Sequence, residues 1–159
     1  MIIALFWGRV IDTYFTGVWR DKFPFNLIEH PHPDFHLSAE QIIKNEGFLF
    51  EEHEVETDDG YLNVLFRVNR PDHNTNKPVV ILIHGLIDSS DSFFVNGREK
   101  SLGFTIPEAG FDVWLVNTRG NKYSNKHKWL NPEKDLEYWE HGSSLDIAKN
   151  DFPAFLSYV

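Results

Sequence analysis

Residues 78–86 of the sequence read PVVILIHGL, and this stretch carries the clearest signal of the fold class. Its first part, Val79–Ile83, is an unbroken run of β-branched and aliphatic side chains. Such a run is typical of a parallel strand that is buried on both faces. His84 and Gly85 follow directly, and glycine allows the backbone to turn sharply there. The stretch therefore predicts a central parallel strand that ends in a tight turn.

A second strand of the same kind follows along the chain. A helix is predicted over residues 101–109 with its end at Gly110, because glycine commonly occupies the position after a helix C-terminus. Residues 111–116 (FDVWLV) then have the composition of another buried strand. Strand, helix and strand in this order predict a right-handed parallel crossover, so the fold class is α/β.

The segments on either side fit the same domain. Ser38 is the predicted N-cap of a short helix. Residues 52–57 and 61–68 alternate between apolar and polar side chains around an Asp-Asp-Gly turn, which predicts a β-hairpin with two half-exposed strands. Residues 146–159 have helical periodicity, with Pro153 in the early part of the helix.

The N-terminal segment differs from this domain. Over residues 3–18 apolar side chains recur at helical spacing, which predicts an amphipathic helix. This helix either docks on its own core or a partner, or lies on a membrane surface through residues 1–19. The prolines at 24, 31 and 33 then predict an extended connector. We therefore predict an N-terminal extension over residues 1–36 and an α/β domain over residues 37–159.

Three histidines in the connector form a candidate metal site, since imidazole is a common metal ligand. They are His30, His32 and His36. The prolines between them leave the imidazoles without a rigid support, so a solvated linker is the favoured interpretation and no metal is predicted.

Composition narrows the class of protein. The formal net charge of −9 disfavours nucleic acid as a partner, because the phosphate backbone is also negative. The sequence contains no cysteine, which excludes disulfides and cysteine nucleophiles. No stretch reaches the roughly 20 apolar residues of a membrane-spanning helix, and residues 2–7 lack the basic start and cleavage site of a signal peptide. The location stays open, with membrane association as one hypothesis.

Four segments, taken in order, resemble successive landmarks of the acid lipase family, which contains gastric and lysosomal lipases and steryl ester hydrolases. They are residues 47–62 (GFLFEEHEVETDDGYL), 78–86 (PVVILIHGL), 109–121 (AGFDVWLVNTRGN) and 151–154 (DFPA). Several ordered motifs at compatible spacing are far more specific than any one of them. The resemblance covers residues 37–159 and implies a truncated α/β-hydrolase lipase domain, with a hairpin and two parallel strands.

The resemblance also implies a chemistry: hydrolysis of triacylglycerols or sterol esters by a serine, an acid and a histidine, without a metal or organic cofactor. Leu86 would offer its backbone N–H to the oxyanion of the tetrahedral intermediate. His84 would support this loop and would not be the general base, because the triad histidine comes last in this fold. The residues implied as structural support of the site are His84, Gly85, Asn117, Arg119, Gly120 and Asn121.

No serine in the sequence has the Gly-x-Ser-x-Gly pattern of a nucleophile elbow. Ser101 has Gly103 after it but Glu99 before it, and Ser143 follows Gly142 without a second glycine. We therefore expect the chain, which resembles the N-terminal part of the family, to behave alone as a pseudoenzyme. Three interpretations stay open: a piece of an active lipase, a non-catalytic subunit whose open sheet edge is covered by a partner chain, or half of a split hydrolase.

Overall fold

The computed structural model describes residues 33–71 and 76–159, and its contacts divide the chain into two units, Met1–Ile42 and Ile43–Val159. In the first unit, Pro33–His36 form a 3₁₀ helix, whereas the connector was expected to be extended. Proline tolerates the start of a helix because its fixed φ fits and its missing N–H is not needed there. The predicted amphipathic helix, His30 and His32 lie outside the described residues. The membrane contact, the solvated linker without a metal and the boundary at residue 36 therefore stay predictions.

The predicted short helix is confirmed as α1, Ala39–Asn45. The Ser38 hydroxyl accepts a hydrogen bond from the Gln41 N–H at 3.2 Å, and the Gln41 side chain accepts one from the Ser38 N–H at 2.9 Å. This reciprocal pair is a capping box, which satisfies donors that the first turn of a helix leaves unpaired.

The second unit is built on a mixed sheet in the order β1-β2-β4-β3. The hairpin is confirmed: β1, Leu49–Glu56, pairs antiparallel with β2, Tyr61–Asn69. The crossover is confirmed as well: β3, Val79–Ile83, lies parallel to β4, Asp112–Val116, and α2, Leu102–Glu108, connects them. A short strand that the sequence did not suggest, β5 at Lys126–His127, pairs with the start of β2.

The predicted burial is wrong for two strands. All residues of β2 are buried except Leu62 and Arg67, which are half-buried, because β2 lies between β1 and β4 and is covered on both faces. The β3 strand, predicted to be central, lies at the end of the sheet within the described residues, where Val79 and Ile83 are exposed. The position of each strand in the sheet therefore determines its burial, although strand composition predicted β3 to be more buried than β2.

The last helix begins earlier than predicted and is interrupted. A capping box on Ser143 starts α4, Ser144–Asp146, which continues through a π turn at Ile147–Asp151 into α5, Phe152–Tyr158. Pro153 has no N–H to donate to the carbonyl four residues before it, which favours the wider turn at this point. The short helix α3, Glu137–Glu140, precedes this segment.

The core of the domain lies between the sheet and α5. Its cluster on that face consists of Val55, Leu65, Trp114, Val116 and Phe155. Elsewhere the ring of Phe104 in α2 lies 5.1 Å from each of the rings of Phe48 and Phe94. Within residues 33–71 and 76–159, no helix is long and apolar enough to cross a membrane.

Candidate active site

The loop at the carboxyl end of β3 carries the candidate oxyanion donor, Leu86. The loop turns at Leu86 and Ile87, whose side chains are 84% and 73% exposed. Ile87 has a φ of +59°, which is rare for a β-branched residue. Gly85 does not have a positive φ, and a Cβ placed on it would meet nothing within 4 Å. The left-handed residue of this turn is therefore Ile87, and the supporting role of Gly85 stays a prediction.

The ring of His84 connects this loop to the residues after β4. Its Nε2 lies 3.1 Å from the Thr118 backbone nitrogen and 3.2 Å from Asn121 Nδ2. Both partners are donors, so Nε2 accepts, and the Nδ1–H donates to the Gly85 carbonyl oxygen at 2.8 Å. The hydrogen bonds thus fix one tautomer and occupy both ring nitrogens with backbone and side-chain groups of the site.

The same contact orients the Leu86 N–H. No peptide bond of the chain is cis, and in a trans peptide the carbonyl and the following N–H point in opposite directions. Because His84 binds the Gly85 carbonyl, the Leu86 N–H is directed away from the imidazole. Among the described residues, none accepts a hydrogen bond from this N–H, which leaves it available to a ligand on the exposed side of the loop.

A second contact holds the far end of the loop. The Ser90 N–H donates to Asn117 Oδ1 at 3.0 Å, and Asn121 Nδ2 donates to the same oxygen at 3.0 Å. The loop between His84 and Ser90 is therefore attached at both ends to consecutive residues, Asn117 and Thr118. Asn117 is fully buried, which fits the predicted supporting role.

The segment after β4 is itself closed by local hydrogen bonds. Asn121 Oδ1 accepts from the backbone N–H groups of Tyr123 and Ser124, both at 2.9 Å. The Ser124 hydroxyl donates to the Asn117 carbonyl at 2.7 Å and accepts from the Val64 N–H at 2.8 Å, which ties the turn to β2. Gly120 has a φ of +80°, and a Cβ there would lie 3.3 Å from the Trp139 ring, so this glycine is required.

Arg119 is the centre of a buried ionic network. Its side chain is 1% exposed and forms two hydrogen bonds with each of two carboxylates, Asp59 at 2.6 and 2.9 Å and Asp151 at 2.6 and 2.8 Å. It also donates to the His141 carbonyl at 3.1 Å and lies 3.8 Å from the centre of the Tyr61 ring. The network joins the hairpin turn, the loop after β4 and the π turn.

The charges of the network are mutually stabilising. Burial acts to raise the pKa of Asp59, but hydrogen bonds from Arg119 and Thr57 outweigh it and hold this pKa below its ordinary value. Burial likewise acts to lower the pKa of Arg119, and its two carboxylates raise it instead. Sequence reasoning missed Asp59 and Asp151. Both were within motifs quoted for the family resemblance, the Asp-Asp-Gly turn and DFPA, yet neither carries a signal of its long-range partner.

The structure gives the two serines considered above local roles. Ser101 precedes α2 and its hydroxyl accepts from the Asn96 N–H at 3.1 Å. Ser143 caps α4. No group of three metal-binding side chains occurs among the described residues. What the described site offers is therefore an outward backbone N–H on a loop held at both ends.

Comparison with known proteins identifies the class and the family. The sequence matches the partial alpha/beta-hydrolase lipase region over residues 39–97 and the alpha/beta hydrolase fold over residues 78–154. The fold is therefore that of an α/β-hydrolase. Within that class, the chain belongs to the acid lipase family.

Two relatives illustrate the similarity. Lysosomal acid lipase/cholesteryl ester hydrolase from Homo sapiens is 42% identical over 131 residues, which is 80% of this chain and 32% of that protein. Gastric triacylglycerol lipase from Rattus norvegicus is 35% identical over 139 residues, which is 85% of this chain and 35% of that protein. The chain thus spans about a third of the length of these curated relatives.

Proposed function

We propose that this chain supplies the oxyanion side of a serine hydrolase that acts on lipid esters, triacylglycerols or sterol esters. The observation that carries the proposal is the pair of contacts of His84, which fix the Gly85 carbonyl inward and leave the Leu86 N–H directed outward. A donor prepared in this way stabilises the negative oxygen of a tetrahedral intermediate without reorganising during the reaction. The names of the relatives support the substrate class.

In this proposal His84 is a positioning residue. A general base must take a proton from the nucleophile, yet Nε2 already accepts hydrogen bonds from Thr118 and Asn121. A proton on Nε2 would displace these donors and release the loop. The base is therefore a different histidine, in a segment that also carries the nucleophile and the acid.

The 159-residue polypeptide is accordingly proposed to be inactive alone. No serine within it follows the elbow pattern, and one oxyanion donor cannot replace an acyl-enzyme. The missing groups come either from a longer form of the same chain or from a second chain. The exposed Val79 and Ile83 on β3 favour a partner at this edge in either case, since an apolar strand edge pairs readily with another strand.

A non-catalytic role is the second candidate, in which the same β3 edge binds a partner chain for assembly alone. Copurification of a stoichiometric partner that contains no nucleophile elbow would support it. The predicted helix over residues 3–18 adds a proposed membrane contact, which vesicle flotation with and without residues 1–19 tests.

The catalytic proposal is tested by removing one N–H. The complete hydrolase is this sequence together with a segment that carries Gly-x-Ser-x-Gly. That segment is either fused to the chain as one polypeptide or added as a separate polypeptide. In it, Leu86→Pro deletes the donor, and Leu86→Ala keeps it; Leu86 directly precedes the residue with a positive φ, a turn position where proline is common. We expect Leu86→Pro to lower kcat by roughly 10²- to 10³-fold relative to Leu86→Ala. Equal kcat values for the two variants would refute the role of Leu86, and fluorophosphonate labelling of the 159-residue chain alone would refute its inactivity.

A further inference from the structure

The turn that presents the Leu86 N–H contains an unfavourable choice of residue. Ile87 lies in the left-handed region at φ +59°, where glycine and asparagine are common and a β-branched side chain is disfavoured. Its side chain is 73% exposed, so packing among the described residues does not explain why it is isoleucine.

The surrounding contacts explain how the conformation is maintained. His84 on one side and Ser90 on the other are attached to Thr118 and Asn117, and the short loop between them turns at Leu86 and Ile87. The backbone strain at Ile87 is therefore imposed by the two attachments. These attachments account for the backbone conformation of Ile87. They do not explain why the residue there has an apolar side chain.

The position of that side chain supplies the reason. The oxyanion formed from a bound ester would lie about 2.9 Å from the Leu86 nitrogen. Consecutive Cα atoms are about 3.8 Å apart, so the first carbons of the ester lie within reach of the Ile87 side chain. Leu86 and Ile87 are 84% and 73% exposed, so both offer apolar side chains next to the N–H that would bind the oxyanion.

We propose that Ile87 contacts the acyl chain of the ester and determines the preference for acyl-chain length. This inference rests on the proposed function, because it needs a carbonyl bound at the Leu86 N–H. It assigns the strained turn two tasks: the backbone orients the donor, and the side chain selects the substrate.

The experiment compares variants of the complete hydrolase on p-nitrophenyl esters from butyrate to palmitate. Ile87→Gly and Ile87→Asn relieve the backbone and remove the apolar surface, whereas Ile87→Leu keeps an apolar side chain. We expect the palmitate-to-butyrate ratio of kcat/KM to fall roughly tenfold in the first two, the order of effect of uncovering one aliphatic side chain, and to be largely restored in Ile87→Leu. Leu102→Ala, which removes a 50% exposed leucine at the start of α2, is the matched control and should leave the ratio unchanged.

The outcomes separate the two proposals. An unchanged ratio in Ile87→Gly would show that the residue shapes only the backbone, and the inference fails while the proposed function stands. A ratio that responds to the length of the alcohol in alkyl acetates, and not to the acyl chain, also overturns it. A complete hydrolase that turns over no ester in the parent form overturns the proposed function, and the inference with it.

Discussion

Among single residues, we expect the replacement of Arg119 to cause the largest loss of stability. Replacing it by methionine removes the charge and leaves the fully buried Asp151 carboxylate without its ionic partner, although the backbone N–H of residue 119 still donates to it. Breaking a buried pair in this way typically costs about 3–5 kcal/mol. The matched control is Arg98→Met, because Arg98 pairs with Glu108 while 48% exposed, and such surface pairs contribute below about 1 kcal/mol. Urea denaturation of both variants measures the difference, and equal losses would mean that the network does not stabilise the fold.

Substitution of the two supporting glycines, Gly120 and Gly85, should also affect the free energy of unfolding very differently. Gly120→Ala places a Cβ at φ +80° and 3.3 Å from the Trp139 ring, and we expect a loss of about 1–2 kcal/mol. Gly85→Ala meets open space at an ordinary φ, so its effect on the free energy of unfolding should stay within about 0.5 kcal/mol. Urea denaturation measures both effects. A large loss of stability in Gly85→Ala would show that position 85 requires a backbone conformation that only glycine adopts easily.

At the scale of elements, the two ends of the sheet are protected unequally. The edge strand β1 carries several glutamates, whereas β3 carries no charge at all, and charges on an edge prevent pairing with other chains. Val79→Lys should therefore raise the concentration at which the 159-residue chain aggregates, measured by light scattering. Leu49→Lys on β1 is the control, since Leu49 and Val79 are 45% and 46% exposed. An equal gain from both would mean that added charge, and not the open edge, is responsible.

The elements also show where sequence reasoning succeeds and where it stops. Local signals predicted the hairpin around Gly60, the crossover into β4 and the cap at Ser38, because each depends on a few neighbouring residues. The inner position of β2 and the edge position of β3 depend on which strands pair, and a strand's composition does not encode its neighbours. The family resemblance indicated the residues of the site, but the φ of Ile87 depends on attachments made by residues far along the chain, at 117 and 118.

At the scale of the whole molecule, ion pairs between distant segments make stability depend on pH. Asp59 and Asp112 each hold a pKa below the ordinary value. In Asp112, burial opposes this, but hydrogen bonds from Arg67 and Asn69 outweigh it. The folded-state pKa is thus lower than the unfolded value of about 3.9. The ionised carboxylates therefore stabilise the folded state. The stabilisation is complete above about pH 5 and is lost progressively as the pH falls below about 4.

Urea unfolding between pH 7 and pH 2.5 should therefore show a falling free energy of unfolding toward acid, and Asp112→Asn should make that fall shallower because the titrating carboxylate is gone. Its stability at pH 7 should be lower too, since Arg67 loses the partner that binds it at 2.7 Å. Glu52→Gln, at an exposed position of β1, removes one negative charge without changing this pair. The pH dependence of its unfolding free energy should match that of the parent. If Asp112→Asn and Glu52→Gln gave the same acid profile, the pH dependence would come from the overall charge of −9 and not from the ion pair.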